Sequence, residues 1–102
     1  MKRQTYETLD GTTRWFDAEK AEEFDEATNW NGSNHISVPT GSQTEHELLF
    51  KTRKGAWVLN EWSQWQGTIQ RWREIETKVA AQWLMENGYD LPKGFDLGDY
   101  EG

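Results

Sequence analysis

Residues 45–64, EHELLFKTRKGAWVLNEWSQ, constrain the fold more than any other part of the chain. Two runs of strand-forming residues flank Lys54-Gly55, and a two-residue turn there pairs Arg53 with Ala56 and fixes every cross-strand partner. Period-2 alternation then sorts the side chains onto two faces. His46, Leu48, Phe50, Thr52, Trp57, Leu59, Glu61 and Ser63 share one face; Glu47, Leu49, Lys51, Val58, Asn60, Trp62 and Gln64 share the other. The first, with Phe50 opposite Leu59 and Trp57 beside them, is expected to face the core. The second is mixed.

Around this hairpin the chain offers shorter signals. Tyr6–Phe16 reads as a hairpin about Asp10-Gly11, the favoured two-residue turn. Asp17 stands where a helix N-cap belongs, and AEKAEEFDEAT after it contains no Gly or Pro. On a helical projection Ala18, Ala21, Phe24 and Ala27 gather on one half, with Glu19, Glu22, Glu23 and Glu26 as a stripe on the other. Asn29–Asn34 and Val38–Ser42 are turn chemistry, with Ile36 marking a short strand between them. A second amphipathic helix is expected over Ile69–Asn87, interrupted at Glu76–Thr77 and stopped by Asn87-Gly88.

The expected architecture is α+β: a small antiparallel sheet with two helices packed on one face, in the order β-β-α-(β)-β-β-α. Residues 1–92 form the single domain, and residues 93–102 an acidic, Gly-rich mobile tail. Its core is Trp57, Phe50, Leu48, Leu59, Trp72, Val79 and Trp83. Only 34% of residues are apolar, but seven Trp, four Phe and three Tyr can each bury about 150–250 Å², so the chain is expected to fold.

Composition narrows the function classes. There is no Cys, hence no disulfide or thiolate metal site. No apolar run reaches membrane-span length and the N-terminal residues lack an apolar leader core, so a cytoplasmic location is the default. The net charge is −7, with four Lys/Arg against ten Asp/Glu in residues 1–50 and seven against eight in residues 51–102. That balance disfavours direct contact with nucleic acid or anionic membrane and suits a basic protein partner.

ELLFKTRKGAWVL, followed by WSQWQG and AAQWLMENGYDLP, resembles a family of small bacterial proteins. The shared order is E-x-L-(aromatic)-x-T-x-x-G-x-(aromatic)-x-L, a polar Trp/Gly connector, and a closing A-x-x-W-L helix. The likeness spans roughly residues 45–92, and WFDAEKA extends it toward the N-terminus. It implies a hairpin, a connector and a helix, and no particular activity.

Two function classes follow. The first is a non-enzymatic interaction protein that binds and regulates another protein through Glu19, Glu22, Glu23 and Glu26 with Trp30 and Trp62. Its sharper form is a nucleic-acid mimic that inhibits a basic nucleic-acid-handling protein. The stripe carries like-charge i,i+3 and i,i+4 pairs, each costing its helix roughly 0.2–0.5 kcal/mol. Its plain reading is a solvated face. The second class is a small-ligand module, carbohydrate-like in specificity, whose platform is Asn60, Trp62, Gln64 and Trp65; an indole among amides holds a flat ring, or packs under a neighbour.

Other constellations are weaker. His46, Glu61 and Ser63 stand close enough in the expected register for a base, orienter and nucleophile, yet no nucleophile elbow surrounds Ser63. His35 and His46 with Glu45 or Glu47 lack metal-ligand spacing, so no metal or cofactor is expected. Lys51, Arg53, Lys54, Arg71 and Arg73 beside Trp57 and Trp72 would suit a single strand of nucleic acid. The acidic total opposes it, and turn and helix surface is the plain reading.

Overall fold

The computed structural model describes residues 1–65 and 70–91. Its strands are β1 (Arg3–Glu7), β2 (Thr13–Asp17), β3 (Glu22–Asp25), β4 (Thr28–Trp30), β5 (His35–Ser37), β6 (Glu45–Lys51), β7 (Trp57–Ser63) and β8 (Arg71–Ile75). A single helix among the described residues, α1, runs from Thr77 to Glu86. Six strands form one sheet in the order β2-β1-β8-β7-β6-β3, and β4 and β5 form a separate pair. The described residues are therefore mostly β, with 45% strand, and not a small sheet under two helices. No helix among the described residues is long and apolar enough to cross a membrane. The expected C-terminal tail lies outside the described residues.

The acidic segment expected as the first helix is instead turn and strand. An Ala-faced helix offers little surface to bury, and short helices draw most of their stability from such burial. As β3 the same residues place Glu22 opposite Lys51 on β6 and send Phe24 against Trp57 and Tyr89, at ring distances of 6.0 and 5.3 Å. Propensity lost to pairing and packing.

The second helix is shorter than expected because its first part is β8. Central strand β7 pairs with β6 on one side and β8 on the other, so its backbone groups are satisfied along both edges. The break foreseen at Glu76–Thr77 is where strand gives way to α1. The helix ends in a Gly88 turn with φ 81°; Gly88 N–H donates to Met85 O at 3.1 Å and Tyr89 N–H to Leu84 O at 2.9 Å. This is the double-bonded stop that glycine permits.

The two long hairpins share a turn that differs from the expected one. In T-L-D-G-T and T-R-K-G-A, three residues connect the strands and a glycine takes positive φ, 85° at Gly11 and 93° at Gly55. Thr8 N–H donates to Thr12 O and Thr52 N–H to Ala56 O, both at 2.8 Å. The threonine hydroxyls accept the same two partners' amides, at 3.2 Å from Thr12 and 3.0 Å from Ala56. Such three-residue loops with a left-handed glycine are a common hairpin solution. Thr52, not Arg53, thus opposes Ala56, and the register of β6 moves by one residue. Leu49 faces Leu59, Phe50 faces Val58 and His46 faces Trp62.

One residue of slip exchanges faces, and here both faces are buried. On one, Leu49, Trp57, Leu59 and Ile75 pack beneath Ala80, Trp83 and Leu84 of α1. On the other, Tyr6, Phe16, Phe50 and Val58 form a second cluster, joined by Leu48 and Trp72. The expected single core is therefore two, and Val79, counted in it, is 44% exposed.

The second cluster reveals the shape of the sheet. β2 and β6 are four strand spacings apart in the sheet order, which is about 19 Å on a flat sheet at ~4.8 Å per spacing. Yet the rings of Phe16 on β2 and Phe50 on β6 lie 5.6 Å apart. The sheet must curl, with Tyr6, Phe16, Phe50, Val58 and Trp72 on its inner side and α1 outside. It is a half-barrel.

On the helix side, the Trp83 indole N–H donates to Glu47 Oε1 at 3.0 Å. Burial pushes the Glu47 carboxyl above its ordinary value, against the Trp83 hydrogen bond, which lowers it. The folded protein then holds this proton more tightly than the unfolded chain, so stability falls as pH rises from the ordinary carboxylate range through the raised value. Glu47→Gln keeps an acceptor for the indole and removes the titration. We expect its melting temperature to vary less with pH across that window; an unchanged profile would exclude Glu47 as the source.

Candidate functional site

The acidic residues expected to act together are scattered. Glu19 pairs with the N-terminal amine at 3.3 Å. Glu22 and Glu23 alternate onto opposite faces of β3, an end strand of the sheet. Glu26 turns inward, where its carboxylate accepts Glu47 N–H at 2.7 Å and lies 3.2 Å from His46 Nδ1. Trp30 stands apart on the small β4–β5 pair, 61% exposed, with the His35 ring 5.0 Å away.

The expected amide and indole platform does not assemble either. Asn60 is 3% exposed, and its side-chain amide donates to Arg71 O at 3.1 Å, bracing β7 against β8. Trp62 stacks on His46, centroids 4.5 Å apart at 30°. Gln64 and Trp65 follow the end of β7, both exposed, and Trp65 N–H donates to Ser63 Oγ at 3.2 Å. The remainder of the connector, residues 66–69, lies outside the described residues.

His46, Glu61 and Ser63 border one small cavity at the end of β6 and β7, but no hydrogen bond links them among the described residues. His46 points to the Trp62 side, while Glu61 and Ser63 point to the helix side, where Glu61 takes Arg73 Nε at 2.6 Å. His46 Nε2 is buried without a hydrogen-bond partner among the described residues. Among the described residues no three His or acidic side chains are arranged to hold a metal ion. The basic residues divide too: Lys51 lies over the Trp57 ring at 5.5 Å and Arg73 is paired, while Arg53 and Lys54 sit in the β6–β7 turn.

That turn leads to a concavity at one end of the sheet. A half-barrel is open at its ends, and at one end the T-x-x-G turns of the two hairpins stand over the aromatic inner face. Between them is a cavity of about 780 Å³, lined by Tyr6, Arg14 and Phe16 from the first hairpin, Arg53 and Lys54 from the second, and Glu74 from β8. Its volume falls within the roughly 300–1,000 Å³ usual for small-molecule sites.

The floor is aromatic. Tyr6 and Phe16 meet edge to face at 5.7 Å and 69°. Burial, with the nearby Glu74 carboxylate, raises the Tyr6 hydroxyl above its ordinary value, against the lowering effect of Arg14, so at neutral pH it is a neutral phenol. Among the described residues that hydroxyl makes no hydrogen bond to protein.

The carboxylates around the cavity are engaged. Asp10 takes hydrogen bonds from the Thr8 and Thr12 hydroxyls and from Thr12 N–H. These hold its carboxyl down to about 2. Asp17 accepts Lys2 N–H and Glu19 N–H, each at 3.1 Å, which lowers it as well. Glu74 Oε1 accepts Leu9 N–H at 3.1 Å and ties the first turn to β8. By contrast, Arg14, Arg53 and Lys54 form no ion pair among the described residues.

Of the residues around this cavity, only Arg53 and Lys54 stand out in the sequence as functional candidates, and for nucleic acid. The repeated T-x-x-G was the available signal for the two turns, but their meeting over one face depends on the curl. No protein-family model, curated protein or solved structure matches the chain, so the likeness to a small bacterial family rests on its hairpin, connector and helix motifs alone.

Proposed function

We propose that the protein is a non-enzymatic small-ligand binding module whose site is the open end of the half-barrel between the two T-x-x-G turns. The cavity of about 780 Å³ over the Tyr6–Phe16 floor carries this reading. It combines a half-open, partly apolar surface with a few convergent polar groups, the usual make-up of a ligand site. The platform moves from the Trp62–Trp65 segment to the opposite end of β7. Titration with a panel of small polar and aromatic compounds, read by amide chemical shifts, should move Tyr6, Arg14, Phe16, Thr52 and Glu74 together. Shifts confined to Trp62 and Trp65, or none across the panel, would refute it.

A second reading, a regulator of a basic protein, draws support from Glu22 and Glu23, which are exposed on an end strand and form no ion pair among the described residues. It predicts a basic partner retained from bacterial lysate at low salt, released at high salt and lost on Glu22→Lys with Glu23→Lys. Undiminished capture by that double variant would dismiss it.

A further inference from the structure

We infer that the ligand of the half-barrel mouth is a small organic anion: one oxyanion group held by Arg14, Arg53 and Lys54, on a flat apolar body laid over Tyr6 and Phe16. This rests on the mouth being the binding site. The first support is an imbalance in partners, not in charge. In a chain of net charge −7, three cations border one cavity without a carboxylate partner among the described residues. The three carboxylates beside them already accept hydrogen bonds from Leu9, Thr12 and Lys2 and from the threonine hydroxyls. Donors remain available here, and an oxyanion is the group that uses them.

Charge balance then limits the ligand's size. Arg14, Arg53 and Lys54 are matched by Asp10, Asp17 and Glu74 in the same lining. The mouth therefore has little net field at a distance, and a polyanion, whose binding grows with each phosphate neutralised, finds no basic track. A single group in direct contact does better, because a guanidinium's planar fork meets a carboxylate or phosphate through two parallel hydrogen bonds.

The turn also fixes where these donors stand. Gly55 at φ 93° and the Thr52 hydroxyl bonded to Ala56 N–H set the Arg53-Lys54 backbone on the rim, so less ordering is left to binding. Below the rim, Tyr6 and Phe16, only 8% and 5% exposed, close the bottom of the cavity edge to face, and the half-exposed Trp15 also lines it. A ring that reaches the bottom therefore meets aromatic edges on which it can pack. The Tyr6 hydroxyl can donate to the bound anion.

The test compares four probes by chemical-shift titration and calorimetry: 2-naphthoate, 2-naphthyl phosphate, the neutral 2-naphthamide, and inorganic phosphate. We expect both aromatic anions to bind with shifts at Tyr6 and Phe16, and the amide and inorganic phosphate each about tenfold more weakly or worse. Arg14→Gln and Arg53→Gln, both at exposed positions, should each weaken the aromatic anions roughly tenfold, as loss of a charged hydrogen bond does, with the near-ultraviolet dichroism of the fold retained. Whichever aromatic anion binds better identifies the oxyanion. If the amide binds at the same residues as tightly as the carboxylate, the anion assignment is overturned and the site stands. If inorganic phosphate binds as well as naphthyl phosphate, the flat-body assignment is overturned. If no probe binds and no mouth residue shifts, the site itself is refuted.

Discussion

Phe16→Ala is expected to lower stability by about 3–5 kcal/mol, the usual cost of removing a buried aromatic ring. Phe16 is 5% exposed and touches three rings, Tyr6, Phe50 and Trp72, that come from three other strands. It is the contact by which β2 reaches across the concave face, so its loss should loosen the curl as well as leave a hole. Urea denaturation gives the first effect. Hydrogen exchange gives the second, with amides of β1 and β2 opening before those of β7. Against a total stability of roughly 5–15 kcal/mol, such a loss is large. A change below about 1 kcal/mol would mean that the sheet does not close on this ring.

On the outer face the corresponding residue is Trp83. Trp83→Ala should cost about 3–5 kcal/mol, because the indole is 6% exposed, lies in the cluster under α1 and stacks near Tyr89 at 6.4 Å and 14°. Trp83→Phe separates packing from hydrogen bonding, since it keeps a ring and removes the donor to Glu47. We expect it to recover more than half of the loss, and to recover more still when combined with Glu47→Gln, which removes the unpaired charge. Strict additivity of the two changes in a denaturation cycle would show that they do not act through this bond.

How far the sequence foretold this structure depended on how local the deciding force was. The hairpin of β6 and β7, the stop at Asn87-Gly88 and the change of structure at Glu76 are set by neighbours in the chain, and all were readable. The faces of β6 were not, because one residue in the turn decides them and Lys54-Gly55 fits a two-residue turn as well as a three-residue one. With Phe50 and Leu49 adjacent, both registers bury an apolar side chain. The acidic segment misled for the opposite reason: its helix propensity is real, but Phe24 and the pairing with β6 reward strand, and neither reward is local. Glu26 shows the consequence for the site, since a residue read as part of a solvated stripe holds His46 and the Glu47 amide. The mouth was legible only as two similar turns. Their convergence requires the curl that Phe16 and Phe50 report.

The place of β1, between β2 and β8, also governs the order in which the molecule can assemble. Glu7 pairs with Arg73 across most of the chain, so the first hairpin has no sheet to join until β8 has been made. During synthesis Tyr6 and Phe16 wait with their apolar sides uncovered, while β6, β7 and β8 can pair as soon as each emerges. Closing so long a loop is the slow kind of contact in folding. The docking of the N-terminal hairpin, and with it the formation of the mouth, therefore follows the pairing of β8. A chain interrupted before residue 71 would keep both T-x-x-G turns but have no β8 between them, and its unpaired strand edges and bare aromatics would make it prone to aggregate.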